Sequence, residues 1–545
     1  MSKKYYLRIE GVNLSNFVYD TQDLSTIRGG GLRLLDSIKN LKKEFNGKLN
    51  PISTGASSGL FEVNVSSFDE TEKIKNEIET HVKQDKYLRH ATFVVDILES
   101  NDSDNFVIDR EKILALNRWK QMKSPSIAVP SPSQSSDKPC RIDMVRPATE
   151  TLTERYKGED NARVSESVFY RREYGRKRKH DFYYELTNIE AGFVNEFNDL
   201  TNDESQGNPH HKMAVIYIDG NGFGNIQAST KTQKELKCWD TTIKDYRKAM
   251  LTELLAKIKD KPEWRNGNKL RLETLLWGGD ELIWVVPAWV GWQTLDFFYR
   301  HTKEKNWNFN GEPLKHGAGI VFCHHNAPIH RITKLAREEL ARLAKDKDRK
   351  KSLFVYQRLE SFDHIGKSIQ DYNFDTYRGK LMFSMNQELQ TELDKKPIDD
   401  KLRQEFANNN IMLAQKAEVS VKKLGDTWRI DKDKQLYFIK KDKDKLNIYE
   451  PYDLVLDGEK MCEIAKHIKV FKDNDFPRSK LHQIVKSIIL HKPDVCDLVK
   501  ESVKDNKIIA ESLQSLTDIL DDKYKIYTRW FHIAELWDYI TNYII

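Results

Sequence analysis

The sequence predicts an α+β protein in which one β-α-β-β-α-β arrangement occurs twice, separated by an insert and followed by a mainly helical C-terminal region. Three observations carry this. Leu272 to Val286 has apolar residues on both sides of Gly278-Gly279-Asp280-Glu281, the pattern of a β-hairpin with two acids at its tip. Met213 to Ile218 is an apolar run that delivers Asp219 into the turn Gly220-Asn221-Gly222-Phe223-Gly224, as a short buried strand would. The first hundred residues pass through the same succession of elements without the paired acids.

In that first copy, Lys4 to Ile9 reads as a strand leading to Glu10-Gly11-Val12-Asn13, the counterpart of Asp219-Gly220-Asn221. Leu34, Leu35, Ile38, Leu41 and Phe45 mark an amphipathic helix. Gly55-Ala56-Ser57-Ser58 stands where Gly278-Gly279-Asp280-Glu281 stands, and Leu60-Phe61-Glu62-Val63 continues the hairpin. A second helix carries Ile74, Ile78 and Val82, and Thr92 to Leu98 closes the unit, giving the ferredoxin-like order. Arg28-Gly29-Gly30-Gly31 is open to two readings, helix-terminal amides for a second nucleotide or, more simply, a flexible loop.

Residues 101–185 form a linker and a basic insert. Ser124 to Pro139, rich in serine and proline, reads as a loop and is the clearest break in the chain. Tyr170-Arg171-Arg172 and Arg176-Lys177-Arg178-Lys179-His180, with Phe182-Tyr183-Tyr184, interleave cations and aromatics as single-stranded nucleic acid requires. A solvated basic face is the competing reading, and a net charge of only +6 over 545 residues favours it.

The second copy, within 186–360, holds the chemistry. If its two acid-bearing strands are neighbours, Asp219, Asp280 and Glu281 converge. Hard divalent cations take a few carboxylate oxygens, a backbone carbonyl (here that of Ile218) and substrate phosphates, so two or three acids suffice. A pair of Mg²⁺ or Mn²⁺ ions so held would serve nucleotidyl transfer. Gly220, Asn221, Gly222, Phe223 and Gly224 offer amides to a triphosphate, with Gly278 and Gly279 beside them at the hairpin tip. Gly317 to Phe322 is a further strand, running through Cys323-His324-His325-Asn326-Ala327-Pro328 into a helix with Ile329, Ile332, Leu335, Ala336, Leu340 and Leu343 at helical spacing. Lys345 near its end is read equally as a phosphate contact or as a solvated lysine at a helix C-terminus.

This order of motifs, ending in Ala344-Lys345, resembles the second palm domain of the CRISPR-associated palm polymerase, the large subunit of type III effector complexes, whose palm is related to diguanylate cyclases. The resemblance covers about residues 210–360. It implies a degenerate first palm and a catalytic second palm, ATP as substrate, two divalent ions, and a cyclic oligoadenylate or related cyclic nucleotide as product. Asp219, Asp280 and Glu281 take the catalytic positions, with Glu281 where the family has aspartate. The same resemblance implies RNA or other effector subunits as partners, through the basic insert and the helical C-terminal region. Two alternatives stay open: a scaffold subunit that binds ATP without turning it over, and a cyclase using GTP.

Composition bounds these readings. Hydrophobic residues make up 39% of the chain, enough for real cores in three or four domains. No run approaches a membrane span, and Met1 to Asp20 lacks a hydrophobic signal region, so a cytoplasmic protein is expected. The five cysteines are scattered, so neither a zinc site nor a disulfide framework is expected; Cys140 reads as a leftover of the family's zinc cluster. Asp363-His364 has the reverse order of a phosphohydrolase motif and is read as chance. Residues 361–425 look helical, Trp428 to Asp457 reads as a small antiparallel sheet, and 426–545 ends in helices whose stripe of Trp530, Phe531, Leu536, Trp537, Tyr539 and Ile540 is core or a docking face.

Overall fold

The computed structural model describes residues 4–360 except 13, 101–104 and 125–137, together with strand backbone within 420–449 and most of 454–545. The loop expected at Ser124 to Pro139, the helical reading of 361–425 and Asp363-His364 lie wholly or largely outside the described residues. The chain is mixed α and β. It divides into one unit spanning Met1–Leu359 with Tyr543–Ile545, and a second spanning Glu360–Asn542.

The first unit opens with β1 (Tyr5–Val12), α1 (Leu24–Glu44), β2 (Leu49–Thr54), β3 (Ser58–Val63), α2 (Phe68–Gln84) and β4 (Thr92–Glu99). The strands lie in the order β2-β3-β1-β4. Ile38, Leu41, Ile74, Ile78 and Val82, which the sequence spacing put on helix faces, pack on Leu7, Ile9 and Phe61 of the sheet. After α3 (Phe106–Lys123) and α4 (Glu166–Thr187) the succession repeats: β5 (Lys212–Gly220), α5 (Gln233–Ile258), β6 (Glu273–Trp277), β7 (Glu281–Pro287), α6 (Ala288–Glu304) and β8 (His316–His324). Their order, β6-β7-β5-β8, repeats that of the first copy, and β9 (Leu353–Arg358) adds a strand parallel to β8. Met213 through Ile218 are all buried, as a central strand covered on both faces requires.

The copies agree in detail. Asp219 pairs with Glu281 across β5 and β7, and Glu10 pairs with Ser58 across β1 and β3. Each second strand breaks register at the same place, between Thr274 and Leu276 in one copy and between Pro51 and Ser53 in the other. The helix α1 packs on β6, and α5 packs on β2. That exchange of equivalent contacts is the pattern of a local two-fold.

Arg28-Gly29-Gly30-Gly31 is neither a loop nor a helix terminus. It lies inside α1, where it crosses α4 at very short range: a Cβ on Gly29 would sit 1.7 Å from the Arg171 carbonyl oxygen, and one on Gly175 would sit 2.1 Å from that of Ser25. The glycines are there because only hydrogen fits between the two backbones.

The basic run forms the body of α4, and its cations are already paired. Arg171 makes two hydrogen bonds to Asp20, at 2.9 and 2.8 Å, and Arg172 holds Asp23 and Glu154. Arg176 meets Glu154, Lys177 meets Glu173, Arg178 meets Asp36, and Lys179 meets Glu273. The interleaved aromatics have the same cause, since Phe182 and Tyr183 are buried on Trp277 and Phe193. This helix spends its charge joining the two copies.

In the second unit, strands Ser420–Leu424, Thr427–Lys432, Gln435–Asp442 and Lys445–Tyr449 pair antiparallel in sequence order. Helices follow from Met461–Asp473 to Thr528–Leu536. Trp530, Phe531, Leu536, Tyr539 and Ile540 are buried, so most of the aromatic stripe is core. Trp537 remains half-exposed, with the Lys472 ammonium 5.7 Å from its ring.

Candidate active site at the acidic hairpin

Strand register brings Asp219 and Glu281 side by side at the ends of β5 and β7. Asp280, one residue earlier, is exposed at the hairpin tip. Two backbone bonds fix that tip: the Gly220 amide donates to the Asp280 carbonyl at 3.2 Å, and the Gly278 amide to the Glu281 carbonyl at 3.1 Å. Gly222 has φ of 70°, a left-handed conformation suited to glycine, and starts the short helix Phe223–Ser229. Gly220 is required sterically, because a Cβ would lie 2.4 Å from the Phe223 ring.

The residues expected around a triphosphate divide into two groups. Gly222, Gly224 and Gly279 have open space where a side chain would be, and Gly278 only brushes the Ala56 Cβ at 3.6 Å, so ligand can approach this turn. Phe223 is buried against Trp239 and His316, at ring distances of 5.2 and 5.3 Å, and serves packing. The side chain of Ile218 is likewise core. Asn221 ties the turn to the neighbouring loops, its amide donating to Lys315 and its side chain to Lys351, while its Oδ1 is buried with no hydrogen-bond partner.

Lys345 reaches Asp219 and forms an ion pair with it. It does so across Gly317, the residue paired with Asp219 on β8, where a Cβ would lie 2.4 Å from the lysine Cγ. The helix carrying it runs through Ile329–Lys334, Leu335–Ala341 and Arg342–Lys347, and the middle stretch is π-wound. The wider turn shifts the buried face, so that Ala341 and Ala344 are buried and Leu343 is only half-buried.

Two residues that the motifs did not reveal complete the frame. Arg247 of α5 is buried and donates to the carbonyls of Gly279 at 2.7 Å and Glu281 at 2.6 Å, with its guanidinium 4.7 Å from the Trp277 ring centre. Burial pulls its pKa down to about 10, against the attraction of Asp280 and Glu281. Tyr217 donates its hydroxyl to Glu281 Oε1 at 2.7 Å; burial first, and then the Glu281 and Asp219 carboxylates, keep that phenol protonated. The helical spacing of α5 marks Arg247 as a charged residue on an otherwise apolar face (Ile243, Met250, Leu251, Leu254), which is a signal visible in sequence.

Burial raises the Asp219 carboxyl to about 6, and the charges of Asp280 and Glu281 push the same way; the Lys345 hydrogen bond and charge oppose them. A crowded carboxylate with an ammonium held against it is a donor set that a hard divalent ion would satisfy. Among the described residues no three His, Cys, Asp or Glu side chains are gathered closely enough to hold an ion by themselves. The residues therefore fit an ion shared with substrate phosphates and do not form a closed cage. His324 and His325 lie at the other end of β8, stacked on each other with the His211 ring tilted against both, away from the acids. Cys140 accepts the amides of Ile142 and Asp143 in a small core of its own.

The first copy faces this site. Its hairpin tip at Ala56 meets Gly278. Tyr19, from the segment leading into α1, has Glu281 and Arg337 as its charged neighbours, and burial raises its pKa.

No protein-family model and no curated protein matches the chain. Solved structures do. The chain is similar to the Csm1–Csm4 cassette in complex with AMPPNP, with TM-score 0.41 and 14% identity over 76% of this chain and 65% of that one. It is similar to the cA4 complex of the cassette (0.40 and 13%, over 77% and 66%) and to the apo cassette (0.40 and 13%, over 67% and 56%). Another neighbour is the Csm1–Csm4 subcomplex of the type III-A CRISPR-Csm interference complex (0.36 and 12%, over 64% and 54%). The chain thus spans a little over half the length of the matched chain in the apo cassette. Among the described residues no helix is long and apolar enough to cross a membrane.

Proposed function

We propose that the chain is a nucleotidyltransferase that joins ATP units into a cyclic oligoadenylate or a related cyclic nucleotide in type III CRISPR signalling, with the first copy a degenerate palm and the second the catalytic one. The observation that carries this reading is the side-by-side placement of Asp219 and Glu281 at a hairpin braced by Arg247. ATP and the cyclic product rest on the motif resemblance.

In the reaction a ribose hydroxyl of one nucleotide attacks the α-phosphorus of the next, and pyrophosphate leaves as the new P–O bond forms. Asp219 and Glu281, with Asp280 beside them, would hold two Mg²⁺ or Mn²⁺ ions, which supply hydroxyl activation and neutralise the leaving charge. Lys345, released from Asp219, is the cation nearest to receive a phosphate. The amides of Gly220 and Asn221 are engaged within the protein, so those of Gly222, Phe223 and Gly224 are the ones left to cradle the triphosphate, and Arg247 keeps the tip from yielding under the charge. Partner subunits are assigned to the helical C-terminal region in preference to the basic run of α4, whose cations are paired.

A second reading, an ATP-binding scaffold, is favoured by one observation: the Lys345 ammonium already occupies Asp219. The test is incubation with each labelled nucleoside triphosphate and Mg²⁺ or Mn²⁺, alongside the Asp280→Ala, Glu281→Ala double variant. A cyclic or oligomeric product from ATP that the variant lacks supports the synthase. A product from GTP alone moves the reading to a diguanylate-type cyclase, and metal-dependent binding without product moves it to the scaffold.

A further inference from the structure

Helix α3 presents an uncovered apolar stripe. Its inner face is buried through Phe106, Asp109, Arg110, Ile113 and Asn117. Its outer face exposes Ile108 (43%), Leu116 (44%), Trp119 (60%) and Met122 (81%), at helical spacing. Isolated exposed apolar residues need no explanation, but a row of four along one helix face does. By helical spacing Lys112 and Lys123 border Ile108, Trp119 and Met122 on one side, with Leu116 beyond them and the Lys123 ammonium 4.4 Å from the Trp119 ring, and Arg118 borders them on the other. Among the described residues none of the three meets a carboxylate, whereas Glu111 on the same face is taken by Arg110.

The inner face of this helix grips the turn that follows Asp219. Arg110 donates to the carbonyls of Gln227, Ala228 and Thr230, at 3.2, 2.7 and 2.9 Å, closing the C-terminal end of the helix Phe223–Ser229. That helix begins two residues after Asn221.

We propose that the outer face of α3 docks an amphipathic helix of a partner protein that carries an apolar seam with acidic flanks, and that docking is felt at the Gly220–Gly224 turn through Arg110. Charge complementarity selects this occupant. A second copy of the chain would bring cationic rims against each other. Single-stranded RNA would find one stacking ring among aliphatic side chains, and a lipid surface needs a broader apolar face than a single stripe. A narrow seam between charged borders is the geometry of helix recognition.

The test uses the full chain with the exposed Cys238 and Cys462 changed to serine and Met122→Cys carrying an environment-sensitive dye. It is titrated with an acidic amphipathic peptide of about 15 residues, long enough to cover the stripe, with its lysine-flanked counterpart, with an RNA oligomer and with anionic vesicles. The acidic peptide should bind saturably, at least about ten-fold more tightly than the cationic one, and more weakly as salt rises. The Lys112→Glu, Lys123→Glu pair should reverse the preference, a result that loss of folding cannot imitate. Equal binding of both peptides, preference for RNA or vesicles, or no saturable response overturns the docking surface. Peptide binding that leaves amide exchange in Phe223–Ser229 unchanged overturns the coupling to the turn. None of these readouts depends on catalysis.

Discussion

The two copies share a backbone frame and differ in what the frame carries. In the second, the Gly220 amide donates to Asp280 and the Gly278 amide to Glu281; in the first, the Gly11 amide donates to Ser57 at 2.9 Å and the Gly55 amide to Ser58 at 2.7 Å. The same turn is built twice, once with acids and once with serines. Glu10 keeps an acid at the position of Asp219, but Arg8 on its own strand neutralises it at 2.6 Å. Where Gly317 lets Lys345 cross to Asp219, the first copy has Val94. A backbone frame can therefore be repeated in full while a handful of side chains at its hairpin tip differ, and each difference can be tested by itself.

The acids should show the largest effect. Asp219→Ala, or the Asp280→Ala, Glu281→Ala pair, is expected to lower product formation or metal-dependent nucleotide binding by at least about 100-fold, since on the proposed reading these carboxylates are the metal ligands. Ser57→Ala with Ser58→Ala should change either by less than about two-fold, a size ordinary for surface substitutions. Comparable losses in the two copies, measured by chromatography of products or by calorimetry, would sink the assignment of the first as degenerate.

Next in size is the buried charge at the junction. Glu273 of β6 accepts two bonds from Arg28, at 2.7 and 2.6 Å, and one from Lys179 at 2.7 Å, and all three side chains are almost wholly buried. The Arg28 and Lys179 charges hold the Glu273 carboxyl below its usual range against burial, while burial lowers the Lys179 ammonium to about 7. Glu273→Ala strands two cations in the interior and should cost about 3–5 kcal/mol. Its counterpart by register is Asn50, which only bonds Asn64 at the surface, and Asn50→Ala should stay within about 0.5 kcal/mol. Denaturant melts of the two variants would decide it, and equal midpoints would mean that the junction does not depend on this triad.

Gly317→Ala should have an intermediate effect. The new Cβ displaces the Lys345 stem, and overpacking of this kind costs about 1–3 kcal/mol; nucleotide affinity should fall with it, because the lysine no longer stands at the site. The converse change, Val94→Gly in the first copy, should cost stability without touching nucleotide binding. A nucleotide effect from Val94→Gly equal to that of Gly317→Ala would remove the distinction.

Much of this was legible beforehand. Periodicity gave both strand successions, and the spacing of small and acidic residues gave both hairpin tips, because turn chemistry is local. The roles of Arg28 to Gly31 and of the Arg171 to Lys179 run were misjudged for the opposite reason: their partners, Gly175, Asp20, Asp36 and Glu273, lie far away in sequence. A basic run looks the same whether its charges face solvent or distant carboxylates. Arg247 carried a signal, a cation on an apolar helix face, but its acceptors are backbone carbonyls that no residue pattern displays.

The smallest effect concerns protons. The Asp219 carboxyl, raised to about 6, binds more protons in the folded chain than in the unfolded chain between about 4 and 6. Stability from this group is therefore present at low pH and is lost as pH rises through the folded value, the reverse of the usual aspartate. Divalent ions and protons compete for the same oxygens, so metal-dependent nucleotide binding should climb as pH rises through about 6 and then level off. Lys345 is the group that lowers this pKa, so Lys345→Gln should move the midpoint upward, while Arg8→Gln, beside Glu10 in the first copy, should leave it where it is. Nucleotide binding titrated against pH for the three proteins measures this directly; an unmoved midpoint in Lys345→Gln would mean that the ion pair with Asp219 does not control the site.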